Sequence, residues 1–440
     1  MNTDRGIDRT TTILLATLCG VSVANIYYAQ PLLALIGSSF SMRRATLGLV
    51  VGAAQLGYLI GLVLLVPLSD LVDRRRLIVV QIVGAALCLL LVASSTDTVM
   101  LLIGMGLTGL FSVVVQVLVA SAAILTDPHH RGRTIGTVTS GVVVGIILAR
   151  TASGLIADAA GWRSVYTSSA ALSLVLAAIL ARRLPPIPGV RGTYRRAVGS
   201  LFTMTTTNRV FRIRALMAFF LFASFGTLWS GMALPLSGDP WNLSVTQIGA
   251  FGIAGLVGAV GAKRAGLWAD CGHDRSVTAV GLTLLGLSWV AIAQAPRSLI
   301  VLAAGVVLLD FAVQAVHVTS QHMIVQHSPD SAGSIIGSYM VFYSLGSALG
   351  AFGASSLFVE FGWTAVCLSG GLYGVLALTV WVASNLTDFT VRSCTASHTR
   401  SSPASRPSRA WIACRIHPCH GLFRRSKLRE HQVRLPYGRC

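Results

Sequence analysis

Apolar stretches of about twenty residues follow one another along most of this chain, and they restrict its fold more than any motif does. Twelve can be marked, at 11–36, 46–68, 76–94, 98–125, 133–158, 162–181, 213–236, 246–269, 276–294, 298–325, 333–359 and 363–384. About 20 apolar residues cross roughly 30 Å of hydrocarbon as a helix. In lipid the backbone must bond to itself, which leaves helices and closed barrels. Barrel strands are about ten residues long and alternate in polarity, whereas these segments are longer and apolar throughout. Composition agrees: 54% of residues are hydrophobic and 11% charged, where a soluble domain carries about 25% charged. The expected fold class is an all-α membrane protein with twelve transmembrane helices.

The chain also repeats itself in parallel. Asp70 closes an apolar segment and a basic turn, Arg74–Arg76, follows; Asp270 closes another, and Arg275 follows. Pro128, Gly136, Gly145 and Gly161-Trp162 recur as Pro329, Gly337, Gly346 and Gly362-Trp363. The offset is 200 residues for the aspartates and 201 for the later set. Parallel repeats set in apolar helices are a common build of secondary transporters. They divide the chain into a six-helix half at 1–181, a basic cytoplasmic linker at 182–212, a second six-helix half at 213–384 and a tail at 385–440. The halves should form two pseudo-symmetric six-helix bundles. The linker holds Pro185, Pro186, Pro188 and many arginines, suited to anionic headgroups. The tail is rich in Arg, Ser, Pro and His without apolar periodicity, so a disordered basic segment is expected. An altered reading frame would give the same composition.

The net charge of +19 does not imply nucleic acid, because its distribution has another cause. Arg74–Arg76, the basic residues at 129–133, and Arg182, Arg183, Arg191, Arg195, Arg196, Arg209, Arg212 and Arg214 fall in even-numbered loops. The odd-numbered loops hold Arg43, Arg44, Arg163 and Arg297. The positive-inside rule then puts both termini in the cytoplasm. Ser22-Val23-Ala24 has the small residues of a signal-peptide cleavage site, but Asn25 to Pro31 reads better as the continuing wall of a first helix. The eight cysteines suggest no disulfide framework. Cys414, His417, Cys419 and His420 lie close together, yet a single cluster matches no paired zinc spacing, so no metal is expected. There is no Gly-x4-Gly-Lys-Ser/Thr loop, which disfavours nucleotide-driven transport. No cofactor and no enzymatic activity are expected.

Two motifs carry a family resemblance. In the loop after the second span, Leu68, Asp70, Arg74 and Arg75 match the pattern Gly-x-Leu-Ala-Asp-Arg-x-Gly-Arg-Lys/Arg, with Val66, Leu71 and Asp73 as departures; Gly266, Ala269, Asp270 and Arg275 match in the second copy. In the fifth span, Gly136, Gly145, Ala149, Arg150, Ser153 and Gly154 follow Gly-x8-Gly-x3-Gly-Pro-x2-Gly-Gly, with Arg150 in place of the proline. Gly161-Trp162-Arg163 follows, a weaker sign. Over residues 11 to about 384 the chain resembles the major facilitator superfamily, and within it the bacterial drug:proton antiporter-like branch. The resemblance implies a monomeric secondary transporter of small organic compounds in the bacterial inner membrane, most simply proton-coupled efflux. It also implies gating by Asp70, Arg74, Arg75, Asp270 and Arg275, and a central cavity lined by helices 1, 4, 7 and 10. The expected partners are a small-molecule substrate, a proton and the lipid bilayer.

Polar residues inside the spans locate the candidate site. A charge at the centre of a membrane helix costs about 2.5–3.5 kcal/mol on insertion scales. Arg150 and Asp310 both lie near mid-span. Asp310, Gln314, His317 and Gln321 are spaced 4, 3 and 4, so they share one helix face. Such a stripe must meet a cavity or partner groups rather than lipid. Asp310 and His317 are the proton-coupling candidates. Asn25, Tyr28, Gln116, Arg150, Gln314 and Gln321 are the substrate-binding candidates. Asn25 and Gln116 equally fit interhelical hydrogen bonds, worth about 0.6 kcal/mol each. Tyr339 and Tyr343 read as core. Arg150 fits an anionic substrate, a carboxylate partner or backbone carbonyls, so import of an organic anion stands as the alternative to efflux, and a non-transporting or degenerate membrane protein as the alternative of another class.

Overall fold

A computed structural model describes residues 8–126, 131–189, 193–195, 198–199, 208–253, 255, 268, 273–326 and 332–400. These are helical almost throughout, with no strand among them. Ten helical segments among the described residues are long and apolar enough to cross a membrane. One of them, Ile335–Asn385, has 51 residues, room for the eleventh and twelfth expected spans. The eighth lies largely outside the described residues.

The first span is α1 (Arg9–Tyr27) with α2 (Ala29–Ser39), and α3 (Gly48–Leu64) and α4 (Arg74–Ala93) are the second and third. The fourth is α5 (Thr98–Ser112) with α6 (Val114–Leu125); α7 (Arg131–Ala160) and α8 (Trp162–Arg183) are the fifth and sixth. The seventh is α9 (Arg209–Gly231) with α10 (Ala233–Leu236), and α11, at 245–253, begins the eighth. Then come α12 (Asp274–Ile292), α13 (Leu299–Gln326) and α14 (Ala332–Arg400). Residues Met1–Trp381 form one compact unit and Val382–Cys440 another, of which 382–400 have helical backbone. The Cys414–His420 cluster lies outside the described residues.

Three spans expected to be continuous are broken, two of them at proline. Pro31 has no N–H to give the carbonyl four residues back, at Tyr27, where α1 ends. Pro235 stands in the same relation to Gly231, where α9 ends. The fourth span bends after Ser112, whose hydroxyl donates to the Thr108 carbonyl at 2.7 Å, a bond that competes with the helix ladder. Four other helix starts are capped by side chains. Asp8, Asp73, Asp97 and Asn208 accept from the free N–H groups of Thr11, Arg75, Met100 and Phe211.

The sequence repeat is also a repeat of structure. Gly161 and Gly362 have φ of +82° and +75°, the left-handed region that side chains avoid, and each turns the chain from one span into the next. The close approaches repeat as well. A Cβ on Gly48 would lie 2.2 Å from the Ala351 carbonyl oxygen, and one on Gly249 would lie 2.3 Å from that of Arg150. Each member of the second pair lies 201 positions from its counterpart in the first, so these seams are two copies of one contact. Hydrogen bonds line both: Thr151 to the Gly249 carbonyl at 3.2 Å, and Ser356 to the Ala45 carbonyl at 3.1 Å. Asp158 accepts from the Thr246 N–H at 2.9 Å nearby. Contacts between the first six and last six spans thus cluster toward the odd-numbered loops. On the outside, Val80, Leu87, Val290 and Leu368 are exposed, as a lipid-facing surface requires.

Candidate functional site

The costliest residue in the membrane sits where these seams meet the proline breaks. Arg150, on α7, is 2% exposed. Its Nε donates at 2.9 Å to Oε1 of Gln30, which stands in the first turn of α2 next to Pro31. Its guanidinium lies 3.4 Å from the ring centroid of Trp229, just before the second proline break, and 5.3 and 5.5 Å from the rings of Tyr27 and Phe225. A desolvated cation–π contact is worth about 2 kcal/mol and a hydrogen bond from a charged group about 1.5–3 kcal/mol. Together these offset the insertion cost of placing the charge at this depth. Nη2 is buried and has no hydrogen-bond partner among the described residues.

Asp310, on α13, is 5% exposed. Its Oδ1 accepts from the Trp229 indole N–H at 3.2 Å. One indole therefore stacks on the arginine and donates to the carboxylate. The ion pairs among the described residues are Asp70–Arg74 and Asp73–Arg76, so Arg150 and Asp310 meet through their fields and through Trp229 rather than directly. The space beside Arg150, lined by Gln30, Trp229, Met232 and Ile248 among others, has room for about one water molecule.

From this pair an aromatic layer leads toward the even-numbered loops. The Tyr27 and Tyr343 hydroxyls are 2.5 Å apart and share a hydrogen bond across the two halves. The Tyr343 ring lies 3.9 Å, centroid to centroid, from Phe222, which meets His317 edge-on at 5.1 Å. His317 Nδ1 is 3.1 Å from the Tyr339 hydroxyl. Gln116 donates from Nε2 to the Tyr58 hydroxyl at 3.1 Å.

The remaining candidates fall in different places. Gln314 and Gln321 are half-buried on α13 and make no hydrogen bond with other described residues. Asn25 and Tyr28 turn away from Arg150 to the sixth span: Ser169 Oγ donates to Asn25 Oδ1 at 2.8 Å, and the Tyr28 hydroxyl donates to Ser169 Oγ at 3.3 Å. In the loop after the second span, Arg74 donates to Asp70 at 2.7 Å and to the Ser69 carbonyl at 2.7 Å. Arg75 donates to the Ala181 carbonyl at the end of α8. Asp73, a departure from the motif, caps α4 and also accepts from the Ile187 N–H at 3.2 Å, tying the linker to this turn. Arg275 is exposed in the first turn of α12, and Asp270 lies outside the described residues. Arg214, which the sequence suggests is a loop charge, is buried on α9 and donates to the Thr278 hydroxyl at 3.0 Å.

Sequence reasoning missed Tyr27, Gln30 and Trp229. The signal for two of them is the proline breaks, since Gln30 immediately precedes one and Trp229 stands six residues before Pro235. Tyr343, one turn after Tyr339 on the eleventh span, reads as core in the sequence.

Comparison with known proteins fits this architecture. The family model of the Major Facilitator Superfamily matches residues 13–270 and 214–418. The chain is 43% identical over 370 residues to the uncharacterized transporter YgaY of Escherichia coli O157:H7, covering 84% of this chain and 94% of that one. Among solved structures, the nucleoside transporter NupG superposes with a TM-score of 0.66 at 13% identity, over 84% of this chain and 97% of NupG. The human organic anion transporter MFSD10 (TETRAN) gives 0.62 at 18%, over 85% and 100%. The chain belongs to the Major Facilitator Superfamily, as a multi-pass membrane transporter.

Proposed function

We propose that this protein is a proton-coupled secondary transporter of small organic compounds in the bacterial inner membrane, working as a single chain with both termini in the cytoplasm. The observation that carries this reading is the Arg150–Trp229–Asp310 arrangement, in which buried charges from the fifth and tenth spans are joined by one indole of the seventh. Asp310 takes up and releases the proton, with His317 beside the aromatic layer as a second carrier. Arg150 couples charge to substrate occupancy, and Gln116, Gln314 and Gln321, with Asn25 and Tyr28 behind them, line or support the passage. The halves at 1–181 and 213–384, joined by 182–212, rock about the central site. Asp70, Arg74, Arg75, Asp270 and Arg275 latch the cytoplasmic side through charge-assisted bonds that differ between states.

The antiporter resemblance favours efflux as the direction. Import of an organic anion is the second reading, and the arginine at position 150 favours it. A growth screen with dyes, antibiotics, sugars and weak acids, with and without expression, should find a responsive compound. Its movement is then followed in inside-out and right-side-out vesicles under an imposed pH gradient. Accumulation in inside-out vesicles when their lumen is acid supports efflux by exchange for protons. Gradient-independent flux would remove the proton from the scheme.

A further inference from the structure

Arg150 is held as a half-used fork. Gln30 takes Nε, the Trp229 indole takes one face, and the buried Nη2 has no hydrogen-bond partner among the described residues. A buried donor left unmade costs about 1–3 kcal/mol, which native structures rarely accept without a use. The Gln30 amide accepts from Arg150 with its oxygen, which leaves its NH2 group as a donor, and Gln30 lines the same small space. An acceptor with two in-plane oxygens satisfies that edge, as carboxylates do with arginine. Tyr27, Phe225 and Trp229 surround the guanidinium with rings, and Phe222 and Tyr343 continue the apolar layer toward the even-numbered loops. The space at the head end takes about one water, so the body of the ligand can enter only where the Tyr27–Tyr343 layer parts.

Charge bookkeeping then fixes what travels with it. Arg150 and an ionised Asp310 cancel. A carboxylate added beside Arg150 leaves one uncompensated negative charge in a medium that tolerates none, unless Asp310 also holds a proton. A dianion would leave more. We propose that the substrate is a small monocarboxylate with a flat apolar body, anchored by Arg150 and Gln30, and that it binds together with one proton on Asp310. This rests on the transport reading above and chooses its anion branch, with proton and substrate moving in the same direction.

The test uses the full-length protein in detergent with benzoate as the probe and benzamide as its uncharged isostere. Thermal unfolding followed by tryptophan fluorescence should show a dose-dependent rise in midpoint with benzoate, larger at pH 5.5 than at pH 8, and none with benzamide. Arg150→Gln should lose the response. Asp310→Asn should keep it and lose its pH dependence, because the amide is neutral at every pH. Equal stabilisation by benzamide, or no response of the wild type to benzoate, overturns the proposal even if Arg150→Gln fails to fold. A pH-independent benzoate response in the wild type overturns the proton half. Benzoate binding without flux of any compound in vesicles would sink the transport reading and leave the anion site standing; flux of neutral compounds without benzoate binding would do the reverse.

Discussion

Substituting Gly249 by alanine should open the end of the protein that lies toward the odd-numbered loops. The new Cβ would sit 2.3 Å from the Arg150 carbonyl oxygen and 3.4 Å from the Thr151 Cα, where ordinary contact begins at 3.4 Å. The obstacle is backbone, so no side chain can swing aside. The seam between α7 and α11 must part by about 1 Å, and the Thr151 hydrogen bond to the Gly249 carbonyl is lost with it. Overpacking of this kind costs about 1–3 kcal/mol. Borne only by the closed arrangement, that cost shifts a two-state equilibrium by about 5- to 150-fold. Spin labels at Arg43 and Glu360, which flank the hydrogen bond between Ser356 and the Ala45 carbonyl, would read the change by pulsed electron paramagnetic resonance, with the native cysteines replaced. The short-distance population should fall in Gly249→Ala and likewise in Gly48→Ala, the symmetric counterpart. Gly353→Ala, where an added Cβ meets nothing within 4 Å, should leave it unchanged. An unchanged distribution in both seam variants, with the protein folded, would refute the idea that these contacts distinguish one state from another.

Other expectations concern the buried charges and the strained turns. Trp229→Phe keeps a ring against Arg150 but removes the donor to Asp310; losing a hydrogen bond to a charged group, about 1.5–3 kcal/mol, should cut pH-driven transport about tenfold or more, measured as initial rates in vesicles. Asp310→Asn should abolish the response to a pH gradient while membrane insertion, read from expression level and fluorescence-detected size exclusion, stays intact. Gly161→Ala and Gly362→Ala both force a side chain into positive φ with extended ψ, at about 1–3 kcal/mol each, and should lower the thermal midpoint to a similar extent. Gln55 buries both ends of its amide without a partner among the described residues, so Gln55→Leu should raise the thermal midpoint by removing a penalty of about 1–3 kcal/mol; a fall would mean that the amide has a partner in the working protein.

The amino-acid order by itself determined that this is a helical membrane protein of duplicated build. Twenty-residue apolar runs admit little else in lipid, and the glycines at 161 and 362 were visible as a repeat before their shared positive φ was known. It also singled out Arg150 and Asp310, because a charge in hydrocarbon stands out on cost alone. What only the tertiary structure decided is the company these charges keep. Their meeting through Trp229, and the place of Gln30 at the arginine, depend on how spans far apart in sequence cross. Periodicity reports which face of a helix is polar but not which neighbour that face meets. For the same reason the spacing of Asn25 and Tyr28 could not show that packing turns both toward Ser169. Position along a helix is set locally by the backbone, whereas partnership across helices is set by close packing at small residues such as Gly48 and Gly249, and that is a property of the assembled bundle.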